Sequence, residues 1–190
     1  MPSDQQIIDA VRAGDDSRFG ELVERYQKRL VGLLWHLCGD REGAEDISQE
    51  TFLRAYRKLH LFAGQSQFYT WLARIAVNLM ASAHRKQTLE TRGVRQGFEM
   101  AIDIVANCES PGSRTELEET LRAVRQAIGM LNEERRVVLL LRDFEDMDYE
   151  SIARVLNIPV GTVRSRLHRA RLEVRQLIER ISPQLGSTES

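Results

Sequence analysis

The sequence predicts an all-α protein that consists of two small helical domains. Helical periodicity, with apolar residues three and four positions apart, recurs from end to end of the 190 residues. The strand signals are missing, because there are no alternating runs of Val, Ile, Thr and Tyr and no Asn-Gly pairs. The periodicity fades between the two halves, where Ser110-Pro111-Gly112 is a strong breaker. We therefore expect domains at residues 1–88 and 113–182, a linker at 89–112 and a disordered tail at 183–190.

The bulk composition agrees with a helical protein of the cytoplasm. Hydrophobic residues make up 42% and charged residues 29% of the chain, which is enough apolar material for packed cores. No apolar run reaches the roughly 20 residues that span a bilayer, and MPSDQQIIDA lacks the basic and apolar stretches of a signal peptide. We expect a cytoplasmic location and no membrane insertion. A net charge of -1 argues against a nonspecific coat on nucleic acid, so any DNA contact must be local.

Neither catalysis nor cofactor binding is indicated. Cys38 and Cys108 are isolated, which predicts buried or free thiols rather than a disulfide or a metal site. No nucleophile motif or Gly-rich phosphate loop is present. The histidines are scattered along the chain, at His36, His60, His84 and His168. The chain is therefore expected not to be an enzyme, and no cofactor or metal is expected.

Four helices are predicted for the first domain. A short one near residues 7–13 breaks at Gly14, and a long one runs from about residue 17 to 38 and ends at Gly39. Asp40 can cap a third helix that reaches about residue 59. The glycine-bearing segment LFAGQS separates it from a fourth helix over residues 67–86. The long helix has its predicted core positions at Phe19, Leu22, Val23, Tyr26, Leu30, Leu33, Leu34 and Leu37.

A polar patch lies on one side of the third helix. Asp46, Gln49 and Glu50 fall within about 100° of one another on a helical wheel. A solvated face is the ordinary interpretation of such a patch. Leu53, however, projects into its middle, where an apolar side chain would otherwise remain in water. Polar groups around an apolar anchor are typical of a protein interface, so we expect these four residues to contact a partner.

The fourth helix carries two stripes. One is predicted to be buried and contains Phe68, Leu72, Ile75, Leu79 and Ala83. The other contains Trp71, Arg74, Asn78 and Arg85. Stacking of an aromatic ring on an unpaired base contributes about 1–3 kcal/mol to binding. Arginines bind phosphate, and side-chain amides hydrogen-bond to base edges. This combination of residues therefore suits the binding of a melted DNA strand. Tyr69 and Trp71 are equally consistent with completing the domain core, and both interpretations stay open.

A helix-turn-helix is predicted in the second domain. Helical pattern resumes at about residues 114–130 and restarts after the cap-like Asn132. In DYESIARVLNIP a short helix, capped by Asp148, ends at Asn157, and the next helix can start at Pro159. The following residues 160–175, VGTVRSRLHRARLEVR, carry five arginines and one glutamate. Two short helices with a tight turn and a basic second helix outline a DNA-binding motif.

The second helix of this motif has a core side and a polar side. Its apolar stripe consists of Val163, Leu167, Ala170, Val174, Leu177 and Ile181. The opposite side presents, near the helix start, the residues that a recognition helix inserts into a major groove, namely Arg164, Ser165, His168 and Arg169. Arginines there bind guanine edges or phosphate. Arg166 and Arg171 lie nearer the packed side and are candidates for phosphate or structural contacts.

Four segments in this order resemble the extracytoplasmic-function sigma factors of bacterial RNA polymerase, and the pattern is close to the sigma-E type. They are VRAGDDSRFGELVERYQ, DISQETFLRAY, FYTWLARIAVN and YESIARVLNIPVGTVRSRLHRAR, and the likeness covers nearly the whole chain. The resemblance implies a sigma region 2 bundle, a sigma region 4 helix-turn-helix domain and a role in promoter-specific transcription initiation. It also implies that this role belongs to a stress or envelope response.

The resemblance also assigns residues to partners. The first domain would bind the clamp helices of the largest polymerase subunit through Asp46, Gln49, Glu50 and Leu53. It would hold a flipped base of the minus-ten element with the loop of residues 62–67 and with Asn78 on the fourth helix. The full candidate set for this downstream element is Phe62, Gln67, Tyr69, Trp71, Arg74 and Asn78. The second domain would read the minus-thirty-five element through Arg142, Arg164, Ser165, His168 and Arg169. The flap of the second-largest subunit and an anti-sigma protein wedged between the domains are further implied partners.

Three departures from the sigma-E pattern bear on specificity. His168 stands where that pattern has an aromatic residue, Asn132 replaces a Leu-Pro helix start, and LFAGQSQ differs from familiar loops. No promoter sequence is therefore transferred from a relative. The alternative function is a stand-alone helix-turn-helix regulator, which would bind duplex promoter DNA tightly without polymerase. It explains only the last third of the chain.

Overall fold

The computed structural model describes residues 1–90 and 116–183, and within them every regular element is helical, which confirms the predicted fold class. The first domain contains α1 (Asp4–Arg12), α2 (Phe19–Cys38), α3 (Arg41–Arg57) and α4 (Phe68–Glu90). The second contains α5 (Glu116–Met130), α6 (Glu133–Leu139), α7 (Tyr149–Leu156) and α8 (Val160–Ile181). Short 3-10 turns precede α2 and follow α3, and a π-helical segment, Leu140–Phe144, continues α6.

Some predicted segments fall beyond these residues. Of the linker expected at 89–112, the first two residues belong to α4. The remainder, together with Cys108, lies outside the described residues, as does the tail after Pro183. Cys38 is a half-buried free thiol, as predicted.

Local capping signals set the helix boundaries. The side chain of Asp40 accepts a hydrogen bond from the backbone N–H of Gly43 at 2.7 Å, and that of Asn132 accepts one from Arg135 at 2.9 Å. Each cap satisfies one of the backbone donors that a helix start leaves unpaired. Gly39 ends α2 with a φ of 76°, a left-handed conformation that favours glycine. These are the positions at which the sequence predicts the boundaries.

The core of the first domain agrees with the prediction for α2 and differs for α4. Of the predicted α2 core positions, only Val23 and Tyr26 are half-buried rather than buried. On α4 the predicted buried stripe is wrong beyond Leu72, because Ile75 and Leu79 are half-buried and Ala83 is exposed. The helix is covered by α3 on one side and by α7 of the second domain on another, so its buried face is broad and rotated. That face consists of Phe68, Tyr69, Trp71, Leu72, Ala73, Ala76, Val77 and Met80.

The second domain packs its helices around the apolar stripe of α8. Val163, Leu167 and Ala170 are buried, as predicted, and the stripe becomes half-buried from Val174 onward. Asn157 ends α7 in the left-handed region with a φ of 53°. The turn then passes through Pro159, which precedes α8. This geometry confirms the predicted helix-turn-helix.

The two domains contact each other. α4 packs against α7, and α2 packs against α6 and its π-helical continuation. Arg29 on α2 pairs with Glu145, which follows that continuation. Within the described residues, no helix has an apolar stretch long enough to cross a bilayer.

Candidate functional site

A groove of about 950 Å³ lies between α2 and α3. Leu53, which is 52% exposed, lines it together with Gln49. Asp46 and Glu50 lie on the same helix but not in the groove lining, and Glu50 pairs with Arg54 at 2.6 Å. The structure therefore brings two of the four predicted partner-contacting residues into one concave surface. Its apolar lining residues are Phe19, Val23, Val31, Trp35, Phe52, Leu53 and Tyr56.

Half of this groove comes from α2, where the sequence indicated only core positions. Gly20 and Gly32 both line it, and a Cβ added at either would meet no atom within 4 Å. Glycine inside a helix costs about 1 kcal/mol relative to alanine, so two glycines here leave room at the expense of helix stability. Lys28, Arg41 and Glu45 add charge to the lining. An apolar trough with charged edges fits an amphipathic helix of a partner.

The loop between α3 and α4 is anchored at its start. Phe62 is buried, with its ring centroid 5.3 Å from that of Trp71, so the expectation that Phe62 itself holds a flipped base is wrong in this conformation. Arg12 donates from Nη2 to the carbonyl of Leu59 at 2.9 Å and also to that of Phe62. Gly64 follows with a φ of 70°. These anchors leave Gln67, beyond the glycine, exposed at the surface.

Only part of the predicted surface of α4 is at the surface. Arg74 and Asn78 are exposed and one helical turn apart, as predicted. Trp71 is only 8% exposed and Tyr69 3%, so the prediction that Trp71 shares their exposed stripe is wrong. Both rings belong to the core, which was the other interpretation left open by the sequence. Of the residues predicted to bind the downstream element, Gln67, Arg74 and Asn78 are accessible. Arg85, predicted on the same stripe as Arg74, lies outside the residues whose side chains the structure describes.

Tyr69 lies at the boundary between the domains. Its ring stacks on that of Tyr26 with centroids 5.5 Å apart, and the Arg29 guanidinium carbon lies 4.0 Å from its centroid. Burial, followed by the nearby Glu145 carboxylate, raises the pKa of Tyr69. Burial and a 2.5 Å hydrogen bond to Asp4 raise the pKa of Tyr26 to about 12. Sequence reasoning missed Arg29 and Glu145, because residues so far apart in the chain carry no periodic signal of their pairing.

The first turns of α8 display the predicted recognition residues. Arg164, Ser165, His168 and Arg169 are all exposed. The other arginines of this helix between residues 160 and 175 pair with carboxylates: Arg166 with Glu134 at 2.8 Å, Arg171 with Asp143 at 2.5 Å and Arg175 with Glu179 at 3.5 Å. In the part of the chain that the structure describes, no carboxylate pairs with Arg164 or Arg169. On α8, the arginines predicted to read DNA are therefore those whose charge remains available, whereas Arg142, the third predicted arginine, pairs with Asp146 at 3.5 Å.

Arg142 reaches the same surface from the segment before α7. Its Nη1 donates to the carbonyl of Met147 at 2.9 Å, which fixes the guanidinium beside the turn. The ring centroid of Tyr149 lies 5.6 Å from the Arg142 guanidinium carbon and 5.8 Å from that of Arg164. Tyr149 was not among the predicted site residues. It directly follows the predicted helix cap Asp148, and this position in the sequence could have indicated that it lies beside the turn.

Comparison with known protein families matches both domains. Residues 22–90 match the family Sigma-70 region 2, and residues 121–184 match the family Sigma-70, region 4. The chain is 40% identical to the RNA polymerase sigma-H factor of Pseudomonas aeruginosa over 88% of its own length and 90% of the relative. It is 36% identical to the ECF RNA polymerase sigma-E factor of Haemophilus influenzae over 93% of its length and 96% of that relative.

A solved structure has a similar fold. The sigma factor RpoE from Bartonella quintana, crystallised in complex with the anti-sigma factor NepR, superposes with a TM-score of 0.70 at 25% sequence identity. The superposition covers 85% of this chain and 96% of that one. The likeness therefore spans both domains.

Proposed function

The chain belongs to the extracytoplasmic-function sigma factors of RNA polymerase, and from that premise we propose how its surfaces divide the work of transcription initiation. The factor binds core RNA polymerase and directs it to promoters. The observation that carries this function is the presence of both sigma regions in one chain, matched at residues 22–90 and 121–184. The stand-alone regulator is not favoured, because it leaves the first of these regions without a role.

Core polymerase binds, in this proposal, to the groove between α2 and α3. A clamp helix of the largest subunit would lay apolar side chains on Leu53, Trp35 and Phe52. Asp46 and Glu50, beside the groove, would then meet basic groups at the edge of the contact. Apolar centres with polar rims are the usual anatomy of protein interfaces, which supports this assignment.

Two surfaces read the promoter. The loop after Phe62, where Gln67 is exposed, and the exposed Asn78 would hold a base flipped from the minus-ten element. Arg74 would bind the strand's phosphates. Arg164, Ser165, His168 and Arg169 would enter the major groove at the minus-thirty-five element, with Arg142 beside them. The absence of carboxylate partners for Arg164 and Arg169 in the described residues supports this role.

The remaining partners follow from the family. We propose the flap of the second-largest polymerase subunit as the support of the second domain, and an anti-sigma protein as the factor's inhibitor. The Bartonella relative was solved bound to an anti-sigma factor, which supports the second proposal. We also propose that the domains divide at residues 1–88 and 113–182. The factor would act in the cytoplasm beside RNA polymerase. Its target genes would belong to a stress or envelope response.

Reconstituted transcription tests this function. Core polymerase alone and core polymerase with the full chain are compared on a library of genomic fragments, and transcript starts are mapped. We expect new starts that share two sequence elements, because each domain contributes one reader. Failure to produce any start that core polymerase alone lacks would contradict the proposal.

A further inference from the structure

Asp146 lies in the turn that leads from the π-helical segment to α7, and its backbone is left-handed. Its φ is 51°, and among the non-glycine residues that the structure describes only Asn157 shares a positive φ. The turn requires this conformation, because the backbone N–H of Met147 returns to the carbonyl of Leu141 at 3.0 Å. Glycine or asparagine meets such a requirement more easily than aspartate does. The local backbone therefore gives no reason for a carboxylate at this position.

The carboxylate of Asp146 contacts a predicted DNA-binding residue. It lies 3.5 Å from Nη1 of Arg142, and 96% of the Asp146 side chain is exposed to solvent. The nearby carboxylates have other partners: Asp143 pairs with Arg171, Glu145 pairs with Arg29, and Asp148 caps α7. Asp146 is therefore the carboxylate near this turn whose partner is expected to bind the upstream element.

Arg142 is held beside the recognition helix by two further contacts. Its Nη1 donates to the carbonyl of Met147, and its guanidinium carbon lies 5.6 Å from the ring centroid of Tyr149. The same ring centroid lies 5.8 Å from the guanidinium carbon of Arg164 on α8. In helix-turn-helix proteins the second helix reads base edges, whereas the first crosses the DNA backbone. Arg142, which lies ahead of the first helix, is therefore placed to bind a phosphate.

A DNA phosphate and the Asp146 carboxylate would compete for this guanidinium. Exposed ion pairs between arginine and carboxylate are weak and are screened by salt, so Asp146 does not hold Arg142 permanently. A phosphate forms strong charge-assisted hydrogen bonds with arginine, but here it must displace the carboxylate and then remain close to it. Like charges that stay together at a contact lower its affinity. The carboxylate therefore weakens a contact that carries no sequence information.

We propose that Asp146 sets the affinity for the upstream element by competing with a DNA phosphate for Arg142. The competition lowers the sequence-independent part of binding. Base reading by Arg164 and Arg169 then supplies a larger share of the total affinity. The inference rests on the proposed function, because it concerns the surface assigned there to the upstream element. It adds an acidic residue to a surface whose other assigned members are basic or polar.

The test compares Asp146→Asn with Glu179→Gln in the full chain. Asparagine keeps the tolerance for a left-handed backbone and removes only the charge. Glu179 is the matched control, because it pairs with Arg175, also four residues away and also at 3.5 Å, near the far end of α8. Both substitutions change the net charge equally. The probe is a fluorescent duplex of about 30 base pairs of random sequence, titrated without polymerase at about 50 mM salt.

We expect Asp146→Asn to bind this duplex about threefold more tightly than wild type, which is the gain that an exposed ion pair allows. The slope of log K against log salt should become steeper by about 0.9, because one more counterion is released when Arg142 binds its phosphate. Glu179→Gln should match wild type in both measurements. On a panel of upstream elements with single substitutions, bound by the factor together with core polymerase, every element should gain equally.

Two further variants isolate the mechanism. Arg142→Gln can still donate to the carbonyl of Met147 but carries no charge, and in this background Asp146→Asn should give no gain. Asp146→Gly removes the carboxylate and adopts the left-handed backbone without strain, so it should give the same gain as Asp146→Asn.

The outcomes separate this inference from the proposed function. Unchanged affinity in Asp146→Asn, an equal gain in Glu179→Gln, a gain that survives Arg142→Gln, or a gain with Asp146→Gly alone overturns the inference. A gain confined to one position of the panel also overturns it, because that result would mean base reading. Transcription starts of the wild-type factor with core polymerase are mapped in parallel. New starts without the Asp146→Asn effect leave the proposed function intact, whereas the effect without new starts leaves the competition for Arg142 intact.

Discussion

The carboxylate of Asp148 accepts a hydrogen bond from the backbone N–H of Ser151 at 2.6 Å, and this contact starts the first helix of the helix-turn-helix. The same N–H lowers the pKa of Asp148 below its ordinary value. Because the folded-state pKa is depressed, the stabilisation is present above the unfolded pKa of about 3.9 and is lost as the pH falls through the folded value.

Replacing this cap should weaken the second domain. Asp148→Ala should lower the free energy of unfolding by about 1 kcal/mol at pH 7, because Ser151 N–H loses its acceptor. Asp148→Asn retains a cap oxygen and should stay close to wild type at pH 7, while losing the acid dependence that comes from this carboxylate. Urea unfolding at pH 7 and at about pH 3 measures both. Equal stability of the two variants at pH 7 would show that the cap is unimportant.

Leu53 should be a contact for core polymerase. Leu53→Ala removes an apolar anchor from the groove, and we expect about fivefold weaker binding, which corresponds to about 1 kcal/mol. Leu61→Ala is the matched control, because Leu61 is 63% exposed in the same domain and does not line the groove. Titration of labelled variants with core polymerase measures the affinity. A similar loss in both variants would contradict a specific role for the groove.

Arg164 and Arg166 should differ in promoter reading. Arg164→Ala should cost about 1–3 kcal/mol and relax the preference at one upstream position, if its guanidinium is bidentate to guanine. Arg166→Ala should leave that preference unchanged, because Arg166 is paired with Glu134. Binding to a panel of upstream elements with single substitutions measures the preference. Uniform weakening across the panel by Arg164→Ala would instead identify a phosphate contact.

Asn78 should act in promoter opening. Asn78→Ala removes an exposed amide from the predicted base pocket, so transcription from duplex promoters should fall while binding to core polymerase stays unchanged. A template melted in advance over the minus-ten element should recover part of the loss, because base flipping, which takes a few kcal/mol, is then already complete. Equal loss on duplex and melted templates would argue against a role in opening.

Local signals predicted much of this molecule. The structure confirms several features that depend on only a few neighbouring residues. They are the helix caps at Asp40, Asn132 and Asp148, the helix end at Gly39, and the buried stripe of Val163, Leu167 and Ala170. Such features depend on backbone hydrogen bonds and helical spacing alone. The helix-turn-helix and its exposed recognition residues follow from the same short-range rules.

The face of α4 could not be predicted in this way. A helix wheel places Trp71 with Arg74 and Asn78, but it cannot tell which neighbour covers which side. Here α7 of the second domain covers one side of α4, and Tyr69 and Trp71 are buried. Burial of a side chain depends on the packing of other segments. Trp71 packs on Phe62 of the preceding loop, and Tyr69 packs on Tyr26 and Arg29 of α2.

Fold class, helix boundaries and the position of the recognition residues were thus encoded locally and were readable from the residue order. The groove needed α2 and α3 side by side, and the pairing of Arg29 with Glu145 needed both domains packed together. Ion pairs and grooves between distant segments depend on three-dimensional proximity, which no periodic pattern records. Only the tertiary structure could reveal which of the residues predicted to face the promoter are available and which are covered by the chain itself.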